Sequence, residues 1–87
     1  MNVNDFLKMI SDMKHTLGID LTKLRKGQLK YNAYRNYFCG NSKYLDEGCK
    51  LGFVDKQRYV NQWLYMVTEA GLNFLSSLFG IEIVWNK

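Results

Sequence analysis

The sequence contains no proline, two cysteines and one histidine, and each shortage excludes a class of structure or function. Without proline, glycine has to supply the breaks between elements. Cys39 and Cys49 form no short-spacing pair, so we expect no zinc motif and predict two buried thiols in the cytosol. The sequence has a single histidine, His15, and no phosphate-cradling glycine loop, so it has too few of the groups that an enzyme active site needs. We therefore predict a non-enzymatic protein without a cofactor or metal.

Long apolar runs are also missing. No window approaches the roughly 20 apolar residues of a membrane span, and residues 1–20 lack the apolar stretch of a signal peptide. The sequence therefore predicts a cytoplasmic protein that makes no membrane contact. Its 87 residues are 47% hydrophobic, which suits one domain over residues 1–87.

Positive charge is concentrated in the middle of the chain. The net charge is +4, yet residues 21–45 hold six basic residues and no acidic one. The flanking segments, 1–20 and 46–87, each carry a formal charge of −1. A basic segment between nearly neutral flanks indicates either one positive binding face or an ordinary solvated surface.

Helical spacing of apolar residues predicts four helices. Phe6, Met9 and Met13 recur on one face of the first, and Leu29, Ala33 and Tyr37 form a stripe on the second. Serine, threonine and glycine at the expected boundaries support the ends of these helices. The predicted helices cover residues 4–17, 28–39, 43–51 and 69–79, and residues 21–27 are a weaker helical start to the second.

Near Phe53 the apolar period changes to two, which is typical of strands. Residues 53–56 and 63–67 are predicted as a hairpin, and residues 81–85 as a final strand. The polar connection 57–62 has neither Gly nor Pro and predicts an open loop. Three helices, a β-hairpin, a helix and a strand make an α+β chain in the order of a winged helix.

The stretch over residues 44–78 resembles the wing region of winged-helix proteins of the bacterial-regulator type. A helix ends at Leu51-Gly52, a hairpin follows, and its second strand runs into Thr68-Glu69-Ala70-Gly71. The segment from Tyr34 to Gly40 is also similar to one in small phage-encoded proteins. The resemblance implies a winged helix-turn-helix fold and a phage or prophage origin.

By this resemblance, the start of the third helix enters the major groove of DNA and the wing contacts a neighbouring groove or phosphates. The implied function is DNA binding in a regulatory or accessory role. Ser42 has a second interpretation as a simple helix cap. The candidate base readers are Asn41, Ser42, Lys43 and Tyr44, and the candidate phosphate contacts are Lys23, Arg25, Lys26, Lys30, Arg35, Lys56 and Arg58.

Protein binding is the alternative. The chain has 13 aromatic residues, and tyrosine and tryptophan are enriched both in cores and in interface hot spots. An acidic host protein would suit the basic segment. The last strand, residues 81–85, also predicts a homodimer if its edge is exposed.

Overall fold

Three α-helices and five strands form an α+β fold in the computed structural model, which describes residues 1–86. Within that part of the chain, no helix is both long and apolar enough to cross a membrane. The elements are α1 (Val3–Leu17), β1 (Lys30–Ala33), β2 (Phe38–Gly40), α2 (Lys43–Lys50), β3 (Val54–Tyr59), β4 (Gln62–Val67), α3 (Glu69–Phe79) and β5 (Glu82–Trp85), with a short 3-10 turn at Leu21–Lys23.

Helices α1, α2 and α3 lie where the apolar spacing predicts them, and α2 and α3 begin after the predicted serine and threonine caps, whereas the cap of α1 is Asn2 and not Asn4, the cap that the sequence predicts. The Ser42 hydroxyl accepts from the Leu45 N–H at 3.1 Å, and the Thr68 hydroxyl accepts from the Gly71 N–H at 3.1 Å. Both bonds satisfy backbone donors that the first helical turn leaves free. Gly18 and Gly80 end α1 and α3 in the left-handed conformation.

The helix predicted over residues 28–39 is wrong, because this segment forms β1 and β2. Leu29 and Tyr37, which a helix would place on a buried stripe, are exposed. The segment is rich in tyrosine and asparagine, whose intrinsic preference for helix is weak. Its strands gain backbone partners far along the chain, since β1 pairs with β5 in parallel and β2 pairs with β4 antiparallel. Tertiary pairing therefore overrides the local pattern.

The side chain of Asn36, between β1 and β2, forms the two hydrogen bonds to Val67 that the backbone of a neighbouring strand residue would otherwise form. Its amide nitrogen donates to the Val67 carbonyl at 2.9 Å, and its amide oxygen accepts from the Val67 N–H at 2.7 Å. Asn36 is buried, so these two bonds satisfy four polar groups away from water. These hydrogen bonds hold the segment between β1 and β2 against Val67, the last residue of β4.

The predicted hairpin is present, with longer strands than expected. β4 lies at the centre of a three-stranded antiparallel sheet of order β2-β4-β3. Tyr59 pairs with Gln62, so only Val60 and Asn61 form the turn. The open loop predicted over residues 57–62 is therefore wrong. Cross-strand pairing extends the ladder to the tip of the hairpin.

One helix, α2, directly precedes the hairpin, whereas the predicted winged-helix order has two consecutive helices there, over residues 28–39 and 43–51. Residues 1–86 contain three α-helices rather than the predicted four. The core lies between α1, α2, α3 and the inner face of the antiparallel sheet. Its buried side chains include Met9, Met13, Leu17, Leu45, Val54, Tyr65, Val67, Leu75 and Ile83.

The last strand forms as predicted, but its outer side is partly occupied. β5 pairs with β1 on one side. On the other, the Ile83 N–H donates to the Ser76 hydroxyl at 2.8 Å, and this hydroxyl also lies 3.4 Å from the Ile83 carbonyl oxygen. A side chain that binds an edge strand competes with a second copy for the same groups. The fold therefore does not favour the homodimer predicted through this strand.

The two cysteines are free and differ from the prediction of buried thiols. Cys39 is exposed on β2, so that prediction is wrong for it. Cys49 is half-buried on α2, and burial raises the pKa of its thiol.

We expect Asn36→Ala to lower the free energy of unfolding by about 2–4 kcal/mol, because it leaves the Val67 N–H and carbonyl buried without partners. Urea denaturation monitored by tryptophan fluorescence measures the change. Asn32→Ala, at an exposed position of β1, is the matched control and should change the value by less than about 0.5 kcal/mol. Equal effects of the two substitutions would contradict the bridging role of Asn36.

Candidate nucleic-acid interface

The four candidate base readers lie together at the junction of β2 and α2. Asn41 and Lys43 are exposed, Tyr44 is half-buried and Ser42 is buried. They surround a shallow cavity of about 290 Å³. The other residues that line it are Asp12, His15 and Phe38.

Ser42 is engaged within the chain. Besides capping α2, its hydroxyl donates to the Asp12 carboxylate at 2.8 Å, and only 8% of the residue is exposed. The cap interpretation is therefore confirmed, and the hydroxyl has no free side to present to a base. Of the four readers, Asn41, Lys43 and Tyr44 remain accessible.

Tyr65, on the central strand, ties α2 to the hairpin. Its ring is 0% exposed, and its hydroxyl donates to the Asp46 carboxylate at 2.8 Å and accepts from the Ser42 N–H at 3.3 Å. The same Asp46 oxygen binds the Lys56 ammonium at 2.9 Å. Burial, the largest effect, and the bond to Asp46 raise the pKa of Tyr65. The hydroxyl therefore stays protonated as a donor.

Acidic side chains early in α2 would repel phosphates if they faced outward unpaired. Asp46 is instead bound by Lys56 and Tyr65. Glu47 binds Lys50 one turn along the same helix at 3.2 Å. Both carboxylates are thus neutralised locally, which reduces their repulsion of an approaching polyanion.

Two lysines flank the Tyr44 ring at the start of α2. The Lys43 ammonium lies 5.1 Å from the ring centroid and the Lys8 ammonium 5.4 Å. Lys8 is missing from the sequence-based prediction. Its position four residues before Asp12 and seven before His15 is the signal for it, since this spacing puts the three on one polar stripe of α1. Neither lysine forms an ion pair within residues 1–86.

The hairpin repeats this arrangement around Trp63. Lys56 and Arg58 alternate along β3, so they point to the same face of the sheet. The Lys56 ammonium lies 4.5 Å from the Trp63 ring and the Arg58 guanidinium carbon lies 5.3 Å from it. Because Lys56 is also bound to Asp46, Arg58 is the cation of this pair that is left for an external anion.

The start of α2 and the tip of the hairpin lie at the same end of the antiparallel sheet. Strand β2 runs in the direction of the turn at Val60 and Asn61 and ends at Gly40, which pairs with Trp63. Trp63 is two residues from Asn61, so about 7 Å of strand separates the level of Gly40 from the turn. Sheet register thus brings together two segments that the resemblance assigns to separate grooves.

The remaining predicted cations lie elsewhere. The loop with Arg25 and Lys26 is attached to the parallel sheet, since Asp20 N–H donates to the Tyr31 hydroxyl and Glu82 N–H to the Leu29 carbonyl. Lys23, in the same loop, lies 4.0 Å from Asp20, and Lys30 is exposed on β1. The basic segment therefore divides into separate groups instead of forming one face.

Arg35 is used at the end of α1. Its guanidinium donates to the His15 carbonyl at 2.6 Å and lies 5.4 Å from the Tyr34 ring. A cation there satisfies a helix carbonyl and interacts favourably with the helix dipole. The guanidinium of Arg35 is therefore engaged within the chain, and its main role is to stabilise the end of α1.

We expect Asp46→Asn to flatten the acid dependence of stability. Burial, the largest effect, raises the pKa of Asp46, but the hydrogen bonds from Lys56 and Tyr65 together outweigh it and hold the pKa below the ordinary 3.8. The stabilisation is therefore present above 3.8 and is lost as pH falls through the lowered pKa. Urea midpoints of the wild type and the variant should differ most at about pH 6 and converge towards about pH 3.

Glu47→Gln is the control for this comparison, because it removes the neighbouring charge without touching Tyr65 or Lys56. A gap between wild type and Asp46→Asn that stays constant from about pH 6 to about pH 3 would contradict the assignment.

Comparison of the chain with protein-family models, with curated proteins and with solved structures finds no match in any of the three. The resemblance to winged-helix and phage-encoded proteins therefore stays a prediction from the sequence.

Proposed function

We propose that this chain binds double-stranded DNA as a small, non-enzymatic regulatory or accessory protein. Its contact surface consists of the start of α2 and the β3–β4 hairpin. The observation that carries the proposal is the β2–β4 register, in which Gly40 pairs with Trp63 and brings both segments to one end of the molecule.

The charges at this end suit a phosphate backbone. Lys8, Lys43 and Arg58 are exposed and form no ion pair within residues 1–86. Phosphate contacts need positive charge and reach, and each neutralised phosphate releases counterions. Lys56 is bound to Asp46, so its main role is to hold the hairpin against α2.

Helix α2 has a suitable size for groove entry. An α-helix with its side chains is about 10–12 Å in diameter, which fits the roughly 12 Å width of the major groove, and the eight residues of α2 make about two turns. Asn41 precedes the cap Ser42, Lys43 is the first residue of α2, and both are exposed. Asparagine pairs with adenine in the major groove, so Asn41 is the proposed base reader, and Lys43 beside it is assigned to the phosphate backbone.

The winged-helix prediction is retained in a reduced form. The order β2-β4-β3, with a helix between β2 and the hairpin, supports a wing that spans about 20 Å. α1 packs against α2 and stands in for the missing first helix of a helix-turn-helix. The cations of residues 23–30 add long-range attraction instead of direct contacts.

Protein binding is the second candidate, and the outer face of the antiparallel sheet favours it. Cys39, Leu64 and Gln57 form one cross-strand row there, and Met66 lies opposite Asp55. Cys39 is exposed, and Leu64 and Met66 are only half-buried. The accessible apolar groups on this face could be covered by another protein.

We expect the protein to bind a random duplex with an affinity that falls steeply as salt rises. Fluorescence anisotropy at several salt concentrations gives the slope of log K against log salt. Lys43→Gln with Arg58→Gln should reduce the magnitude of that slope by about 1.8, because two phosphate contacts are lost.

The matched control is Arg25→Gln with Lys26→Gln, which changes the net charge equally but lies in the loop beside the parallel sheet. It should leave the slope nearly unchanged. The absence of any binding at low salt would eliminate the proposal, and equal effects of the two double variants would eliminate the proposed surface.

A further inference from the structure

The hairpin turn contains a backbone conformation that its residue type disfavours. Val60 has a φ of 54° and is the one non-glycine residue with positive φ among residues 1–86. A β-branched side chain in this region crowds the following carbonyl, so the conformation is strained. The first turn position of such two-residue hairpins is ordinarily glycine or asparagine.

Folding gains nothing from the valine that would offset this strain. Val60 is 78% exposed and Tyr59 beside it is 52% exposed. Neither side chain belongs to the core. Strained residues persist at positions where the strain is coupled to a function, and an exposed apolar tip makes its contacts outside the chain.

We propose that Tyr59 and Val60 form an apolar wedge that enters the DNA minor groove, partly unstacks one base step and bends the duplex. This proposal rests on the proposed function and names the role of the hairpin within it. Proteins that bend DNA in this way insert apolar side chains between base steps from the minor-groove side.

The surroundings of the tip suit this role. Arg58 precedes it and carries an unpaired cation, which can hold the flanking phosphates. Asn61 and Gln62 follow it with amides that can hydrogen-bond at a groove edge. Two apolar residues among polar neighbours are too small an apolar surface to anchor a protein in a bilayer. A base step, by contrast, accepts a single inserted side chain.

The geometry also permits both contacts at once. The tip lies about 7 Å of strand beyond the level of Gly40, where the chain enters α2. With α2 in the major groove, the protruding hairpin reaches across the backbone to the adjacent minor groove. A bend at that step would bring further phosphates to Lys43 and Lys8.

The test compares Val60→Gly with Val60→Ile on a duplex of about 30 base pairs that carries a dye at each end and 2-aminopurine beside a TA step. Anisotropy reports binding, energy transfer between the dyes reports bending, and 2-aminopurine fluorescence reports unstacking. The wild type and Val60→Ile should increase both bending and unstacking signals. Val60→Gly should abolish both signals, keep the affinity within about threefold and raise the urea midpoint of unfolding.

A variant that becomes more stable while it loses bending cannot owe that loss to unfolding. The wedge proposal is overturned if the wild type binds duplex without bending it, or if Val60→Gly bends it equally. Absence of wild-type binding would instead overturn the proposed function itself. Val60-dependent binding to vesicles of phosphatidylcholine and phosphatidylserine, with no bending of duplex, would overturn the wedge in favour of a lipid surface.

Discussion

The buried Tyr65 is the contact on which the arrangement of the candidate interface depends. Its ring fills the core beneath the antiparallel sheet, while its hydroxyl meets the first turn of α2 and the carboxylate of Asp46. A buried hydroxyl must be hydrogen-bonded, and its available partners here belong to α2. Because Asp46 also binds Lys56, one hydrogen-bond network holds the helix, the central strand and the hairpin in a single geometry. The relative position of the two proposed DNA contacts is therefore set by the core.

The charged side chains form separate groups that the net charge does not reveal. The acidic groups of α2 are bound by nearby cations, whereas Lys8, Lys43 and Arg58 stand beside aromatic rings without carboxylate partners among residues 1–86. Aromatic faces hold cations without neutralising them, so the charges stay available to an anion. The loop with Arg25 and Lys26 forms a separate positive region beside β1 and β5. Charge that is continuous in the sequence is thus discontinuous on the surface.

The outer edge of β5 is covered by a side chain, whereas the hairpin tip exposes apolar residues. At β5, Ser76 occupies the outward groups of Ile83, which protects an edge against pairing with another chain. At the hairpin tip, the chain instead exposes Tyr59 and Val60 and accepts a strained turn. Ser76 protects the outer edge of β5, whereas Tyr59 and Val60 are exposed at the hairpin tip. The tip is therefore the better candidate for a contact with another molecule.

Local signals in the sequence were sufficient for the three helices, the hairpin and the final strand. The caps at Ser42 and Thr68 and the glycine stops act within a few residues, so they operate in any context. The segment 28–39 could not be assigned in this way, since its strands β1 and β2 pair with residues 23 to 52 positions away and Asn36 bonds to Val67. Likewise, the sequence identified Asn41, Lys43 and Arg58 as cationic or polar candidates, but not which of the basic residues share an end of the molecule. Tertiary structure decided that grouping. It also added Lys8 to the candidate contacts and engaged Ser42 and Arg35 in hydrogen bonds within the chain. The reason is that strand register and long-range side-chain hydrogen bonds form only when distant segments meet.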